Sequence, residues 1–299
     1  MSIAETTSTE TTTDIRRRRI NWSAISDHAV LIAGALFMLV PVILAFITST
    51  HDPITIHRSG LQYLPGPDFV KNYSQVLFHG TGFTGDVNAV TMVFNSLILG
   101  IGFAVGKIVI SMMAAYAIVY FRVPMASLAF WAIFVTLLLP LEVRILPTYE
   151  IVQSMGLSNT YTGMILPLVA SATGTFYFRQ FFKSVPDEIL EAARIDGAGP
   201  LKFFIDILVP LSRTMIAAIF IIMFVYGWNQ YLWPTLITTD EHYFTLVRGI
   251  KQIIQVWVGA NIPEYSQAMA MAILAMLPPV IIVVVFQSWF IKGLTETDK

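Results

Sequence analysis

The chain of 299 residues has no cysteine, so it can hold neither a disulfide framework nor a thiolate metal site. It is also poor in charge. Asp, Glu, Lys and Arg make up 12% of the residues, against about 25% in an ordinary soluble domain. The net charge of −1 gives no basic excess of the kind a nucleic-acid partner favours. Histidine is sparse, and His28, His51, His57, His79 and His242 show no i, i+4 spacing for a metal. There is no Ser-His-Asp set and no paired carboxylate in a polar segment, so no catalytic site and no metal site is expected. A phosphate-cradling loop is missing too. The nearest string, Gly102 to Ile108, is one residue short between its glycines, and Ile follows Lys107 where Ser or Thr belongs. Gly102 and Gly106 read better as a small-residue face for close helix packing.

What the chain has instead is apolar length. Hydrophobic residues reach 56%. A spanning helix needs roughly 20 mostly apolar residues, and six stretches qualify: Ala29–Ser49, Val93–Val119, Ser127–Ile145, Thr162–Phe182, Leu208–Leu232 and Ala268–Ile291. The expected fold is therefore all-α, with about six transmembrane helices. Residues 1–27 form a Ser/Thr-rich tail, expected to be disordered, that ends in the Arg16–Arg19 cluster. Residues 28–299 form the six-span domain. The first apolar run is too long for a signal peptide and lacks a cleavage pattern, so it reads as a retained span.

Basic residues set the orientation. With Arg16–Arg19 on the cytoplasmic side, that side also holds Arg122, Arg179, Lys183, Arg194, Lys202, Arg213, Lys292 and Lys299. The opposite side holds Arg58, Lys71, Arg144, Arg248 and Lys251, and Lys107 falls within a span. This bias places both termini in the cytoplasm of a multi-pass protein. The external loops are 50–92 and 235–267. In the first, Phe69, Tyr73, Val76 and Leu77 have helical spacing, which predicts a short helix over Asp68–Phe78.

The cytoplasmic loop 183–207 carries the most information. Pro186, Asp187 and Glu188 read as a helix start, because Pro suits a first turn and carboxylates suit the positive dipole end. The helix runs to Ile195, and Gly197, Gly199 and Pro200 stop it. A second helical segment, Leu201–Ile207, leads to Pro210. Such a hairpin could dock in a partner's groove and pass force to the spans, or it could merely link two of them.

Glu191-Ala192-Ala193, Gly197 three residues on, and Pro210 beyond Ile207 resemble the EAA loop of ABC importer permeases, with Val209 where that family usually has Leu. Phe178–Phe182 and Ala193–Ala198 resemble its carbohydrate-uptake branch. Leu139–Ile145 and Tyr226–Pro234 are similar to the second permease subunit of glycerol-3-phosphate importers. The resemblance covers nearly the whole chain and implies a bacterial inner-membrane location. It also implies a second permease subunit, two copies of an ATP-binding subunit and an external substrate-binding protein. This chain would bind no cofactor, with ATP and Mg held by the ATPase. Residues Asp187–Pro200 would form a coupling helix in an ATPase cleft. Glu191 and Asp196 would make polar contacts there, and Ala192, Ala193 and Gly197 would allow close approach.

Ionisable groups inside a span are costly and invite a functional reading. Lys107 is expected to attract an anionic substrate or pair with a carboxylate on the partner permease, or else merely to snorkel or form a structural ion pair. Glu142 and Arg144 lie near the external end of span three, where Arg144 suits a phosphate contact or flanks a helix end with Glu142. Trp228, Asn229, Gln230, Tyr231 and Trp233 suit stacking on a polyol or sugar, though Trp and Tyr also line any membrane interface. The expected substrate is glycerol-3-phosphate or a glycerophosphodiester, by resemblance. A sugar or polyol permease is the alternative. A secondary transporter or channel is the rival from another class, and it would usually carry carboxylates within its spans, which are missing here apart from Glu142.

Overall fold

In a computed structural model, residues 22–80, 87–121, 124–136, 140–255 and 264–295 are described. The Arg16–Arg19 cluster, Arg122 and Lys299 lie outside them, as does the Glu142 side chain. Two compact units divide the chain, Met1–Ile43 and Leu44–Lys299.

The described part of the first unit is most of helix α1 (Trp22–Ser49). Its apolar side chains are exposed all round: Val30, Leu31, Phe37 and Met38 are each at least 70% exposed. Water would penalise that surface, whereas lipid or a partner helix would not.

The second unit starts with the end of α1, followed by two short helices, α2 (Pro53–Ser59) and α3 (Phe69–Phe78). Asp52 caps α2 by accepting the amides of Ile54 and Thr55, and bonds to Thr55, side chain first, hold its carboxyl below the usual range. Helix α3 occupies the predicted segment. Its Asn72 amide donates to the carbonyls of Ser49 and His51 at 2.9 and 2.8 Å, which fixes the exit of α1.

Helix α4 (Ala89–Tyr120) is the axis of this unit. Around it stand α5 (Ala126–Val135), α6 (Leu141–Ser154), α7 (Tyr161–Ile165) and α8 (Ala172–Ser184). The chain continues through α9 (Asp187–Ile195), α10 (Pro200–Lys202), a π-helical turn (Phe203–Leu208), α11 (Val209–Leu211) and α12 (Arg213–Trp228). It ends with α13 (Leu232–Ile237), α14 (Leu246–Gln255) and α15 (Tyr265–Thr295). Among the described residues there is no strand.

Glycines decide how closely α4 is approached. A Cβ on Gly227 of α12 would lie 3.1 Å from the Gly100 Cα, so two backbones cross there. A Cβ on Gly102 would meet Ile165 at 2.5 Å, and one on Gly106 would meet Val169 at 2.7 Å. The small-residue face read from the sequence is thus used, against α7 and the turn that follows it.

The six expected spans are not six unbroken helices. Among the described residues, three helices are long and apolar enough to cross a membrane alone, in α1, α4 and α15. The pair Pro200–Leu211 and Arg213–Trp228, bent by 75°, makes a fourth if the two helices count as one broken span. Pro210, which lacks an amide donor, and the preceding π turn account for that bend. The expected run Leu208–Leu232 therefore ends at Trp228, and Leu232 starts α13. The stretch Ser127–Ile145 is divided between α5 and α6, with Pro140 at the N-cap of α6. Thr162–Phe182 is interrupted by a 3₁₀ turn that contains Pro167 and by extended Ser171.

Candidate functional site

Two features deserve a functional reading. The first is the hairpin between α8 and α12. Helix α9 carries Asp187 and Glu188 in its first turn and Arg194 in its last, which match its dipole. It ends in a Schellman motif: Ala198 N–H donates to Ala193 O at 2.9 Å and Gly197 N–H to Arg194 O at 3.1 Å. That geometry puts Gly197 at φ +76, a backbone state glycine adopts freely. Nothing lies within 4 Å of a Cβ at this position, so only backbone strain and an outside partner restrict it.

One face of α9 is tied to the membrane helices. Ile189, Leu190 and Ala193 pack inward, and Ala193 is only 5% exposed. Tyr116 donates its hydroxyl to Pro200 O at 2.8 Å, and Tyr120 donates to Phe182 O at 3.3 Å. Their rings pack on Phe203 and Phe204. The other face is open: Glu191, Ala192, Asp196 and Gly197 are exposed, and Ile195 and Leu201 flank them at 86% and 70% exposure. Exposed aliphatic side chains around a glycine turn make a surface suited to docking. Of the expected contact residues, Ala193 faces inward, into the protein's own core. Pro210 sits in the bend.

The second feature is a cleft of about 370 Å³ bordered by Lys107, Arg144, Ser171, Thr173 and Tyr226. Four helices bring these residues together. Lys107 and Ser111, one turn apart, share a face of α4. The Ser111 hydroxyl donates to Ser171 O at 3.2 Å, and Ser171 caps α8 by accepting the Gly174 amide. The amino end of α8 is thereby fixed beside Lys107. The crossing at Gly100 and Gly227 brings in Tyr226, whose ring centre lies 5.5 Å from the Lys107 Nζ. Arg144 enters from the first turn of α6.

Residues 96–296 match the family model described as "Binding-protein-dependent transport system inner membrane component". The chain belongs to that family of inner-membrane permeases.

Named relatives of this permease are the sn-glycerol-3-phosphate transport system permease proteins UgpE of Brucella melitensis and Yersinia enterocolitica. The first is 47% identical over 277 residues, covering 93% of this chain and 98% of the relative. The second is 47% identical over 273 residues, covering 91% and 96%. UgpE of Rhizobium meliloti is also 47% identical over 277 residues. A chain from the crystal structure of a bacterial ABC transporter involved in the import of the acidic polysaccharide alginate superposes with a TM-score of 0.76 at 21% identity. That superposition covers 90% of this chain and 96% of the other, and it shows the ABC-permease fold.

The aromatic candidates of this permease fall outside the cleft. Trp228 is fully buried, stacks on Phe224 with ring centres 5.9 Å apart, and donates its indole N–H to Ala275 O at 3.0 Å. Trp233 is fully buried as well, and its N–H faces the carbonyls of Gly163 and Met164 at 3.2 and 3.1 Å. The amides of Asn229 and Gln230 donate back to the carbonyls of Val225 and Tyr226. Tyr231 lies under Lys251, with the Nζ 4.0 Å from the ring centre. An aromatic cluster read along the sequence thus serves mainly to pack helices. Glu142 is the second residue of α6.

Three polar anchors escaped sequence reasoning. Arg248 is 8% exposed, donates to the Thr238 carbonyl and hydroxyl, and has its guanidinium carbon 3.5 Å from the Phe244 ring centre. Buried Asn95 donates to His242 O and Phe244 O and accepts from Tyr161. Arg179 has its guanidinium carbon 3.9 Å from the Phe130 ring centre. Each pairs residues from distant parts of the sequence or through an aromatic face, so no local spacing announces it.

Proposed function

We propose that this permease forms one half of a heterodimeric pathway in an ATP-driven importer of sn-glycerol-3-phosphate or a closely related glycerophosphodiester. A second permease subunit supplies the other half, two copies of an ATP-binding subunit bind ATP and Mg, and an external binding protein delivers the substrate. The observation that carries this reading is 47% identity along 93% of the chain to a permease of sn-glycerol-3-phosphate transport. Both termini face the cytoplasm, on the bias of basic residues.

The geometry supplies a mechanism. ATP-driven closure of the ATPase dimer moves the open face of α9, with Glu191, Ala192, Asp196 and Gly197 at the contact. The Tyr116 and Tyr120 bonds and the aromatic packing pass that movement to α4 and α12. The bend at Pro210 is the joint. A π turn next to a proline is a suitable place for a hinge.

The test is purification of the tagged full chain in mild detergent, with identification of the subunits that accompany it and an assay of ATP turnover. A co-purifying ATPase and a second multi-span permease are expected. A chain that purifies alone, yet transports without ATP after reconstitution, would establish a secondary transporter or channel instead.

A further inference from the structure

We infer that the cleft of Lys107 and Arg144 is a phosphate half-site, in which the doubly charged phosphate monoester of the substrate is held during its passage through the membrane. This deepens the substrate reading above and rests on it.

The strongest observation is the state of Lys107. It is 8% exposed, and among the described residues it has no hydrogen bond and no ion pair. Its neighbours are the rings of Phe103 and Tyr226, with centres 5.3 and 5.5 Å from the Nζ. Ring faces attract an ammonium, but they leave three strong donors without acceptors. A buried cation in this state is costly unless something arrives to neutralise it.

The surroundings select the arrival. Arg144 borders the same cleft, so two positive groups converge where no described carboxylate lies on the wall. The amino end of α8, held there by the Ser111–Ser171 bond, adds the positive end of a 13-residue helix. Phosphate oxygens suit all three: point charge from Lys107, a planar fork from Arg144, and amides from α8. A neutral sugar would leave both cations unanswered. A phosphodiester brings only one negative charge, whereas a monoester is mostly doubly charged at neutral pH. The cleft volume of about 370 Å³ suits a small organic phosphate.

The experiment uses the complete complex with its binding protein, reconstituted in proteoliposomes. Uptake of sn-glycerol-3-phosphate and of glycerophosphocholine is compared for the native chain, Lys107→Gln, Arg144→Gln, and the charge-keeping variants Lys107→Arg and Arg144→Lys. Native complex that takes up neither phosphate compound refutes the substrate reading, and the half-site with it. With native uptake present, each Gln variant is expected to raise the apparent KM for the monoester on the order of tenfold. The diester should suffer less, and the charge-keeping variants should recover most of the loss. An equal fall for both compounds, or no change, overturns the half-site and leaves the substrate reading standing.

Should the Gln variants fail to assemble, the absence of native cysteine gives a second route. Thr173→Cys becomes the one thiol of this chain, and its modification by a cationic thiol reagent is followed in the complex. Protection by sn-glycerol-3-phosphate but not by glycerol supports the half-site. Equal labelling with and without the phosphate overturns it.

Discussion

The hairpin around Gly197 and the cleft around Lys107 share α8 and α12, yet they keep their polar groups in opposite ways. In the hairpin, charges are exposed, matched to the dipole of α9, and spaced by local rules. In the cleft, a cation is buried without an acceptor among the described residues, and a second cation stands on the same wall. A docking surface needs its groups on show at all times, so a short sequence pattern can specify it. A transit site for an anion needs groups that stay incompletely answered until the substrate comes, and only tertiary structure can assemble those.

That contrast can be broken from either side. The largest effect is expected from Gly197→Val, which forces a β-branched residue into φ +76 at a cost of about 1–2 kcal/mol. It also fills the open docking surface. Uptake should be lost while the chain stays in the membrane with its partner permease; normal uptake and ATP turnover would remove α9 from the coupling role.

Overpacking tests the other region without touching a charge. In Gly106→Leu the new Cβ starts 2.7 Å from Val169, and such strain costs about 1–3 kcal/mol. The melting temperature of the purified complex should fall, and uptake of monoester and diester should fall together. A selective loss of the monoester would mean that shape, not charge, distinguishes the two in the cleft.

A smaller effect is expected where the two regions are joined. Tyr116→Phe deletes one hydrogen bond, to Pro200 O at 2.8 Å, worth about 1 kcal/mol. The expected outcome is fewer molecules imported per ATP with assembly intact. An unchanged ratio would place the joint in the aromatic packing alone. The smallest effect should come from His242→Ala on the exposed surface, where His242 pairs with Asp240 at 2.9 Å. Backbone and side-chain bonds to His242 hold the Asp240 carboxyl below its usual range, but solvent screens the pair, so uptake should not change.

The same contrast explains what could be read in advance. The α9 helix, its glycine stop and the helix over Asp68–Phe78 follow from caps, dipole and period, all of which act over a few residues. Gly102 and Gly106 were legible as a packing face because small residues repeat on one side of α4. The breaks in spans three, four and five were not anticipated, because composition stays apolar across Pro140, Pro167 and Pro210 although no single α-helix runs through any of those stretches. Lys107 and Arg144 were legible singly as costly charges. Their meeting with Ser171 and Thr173 was not, since it depends on the Gly100–Gly227 crossing and the Ser111 bond. Trp228 and Trp233 show the reverse error, where residue type suggested a ligand surface and packing had already used the rings.

The most direct test of the whole account is ATP-dependent uptake of labelled sn-glycerol-3-phosphate by the complete complex in proteoliposomes. Accumulation that needs ATP inside, needs the binding protein outside and disappears in Gly197→Val is the predicted result. Uptake that proceeds without ATP, or that persists in Gly197→Val with unchanged coupling, would contradict it.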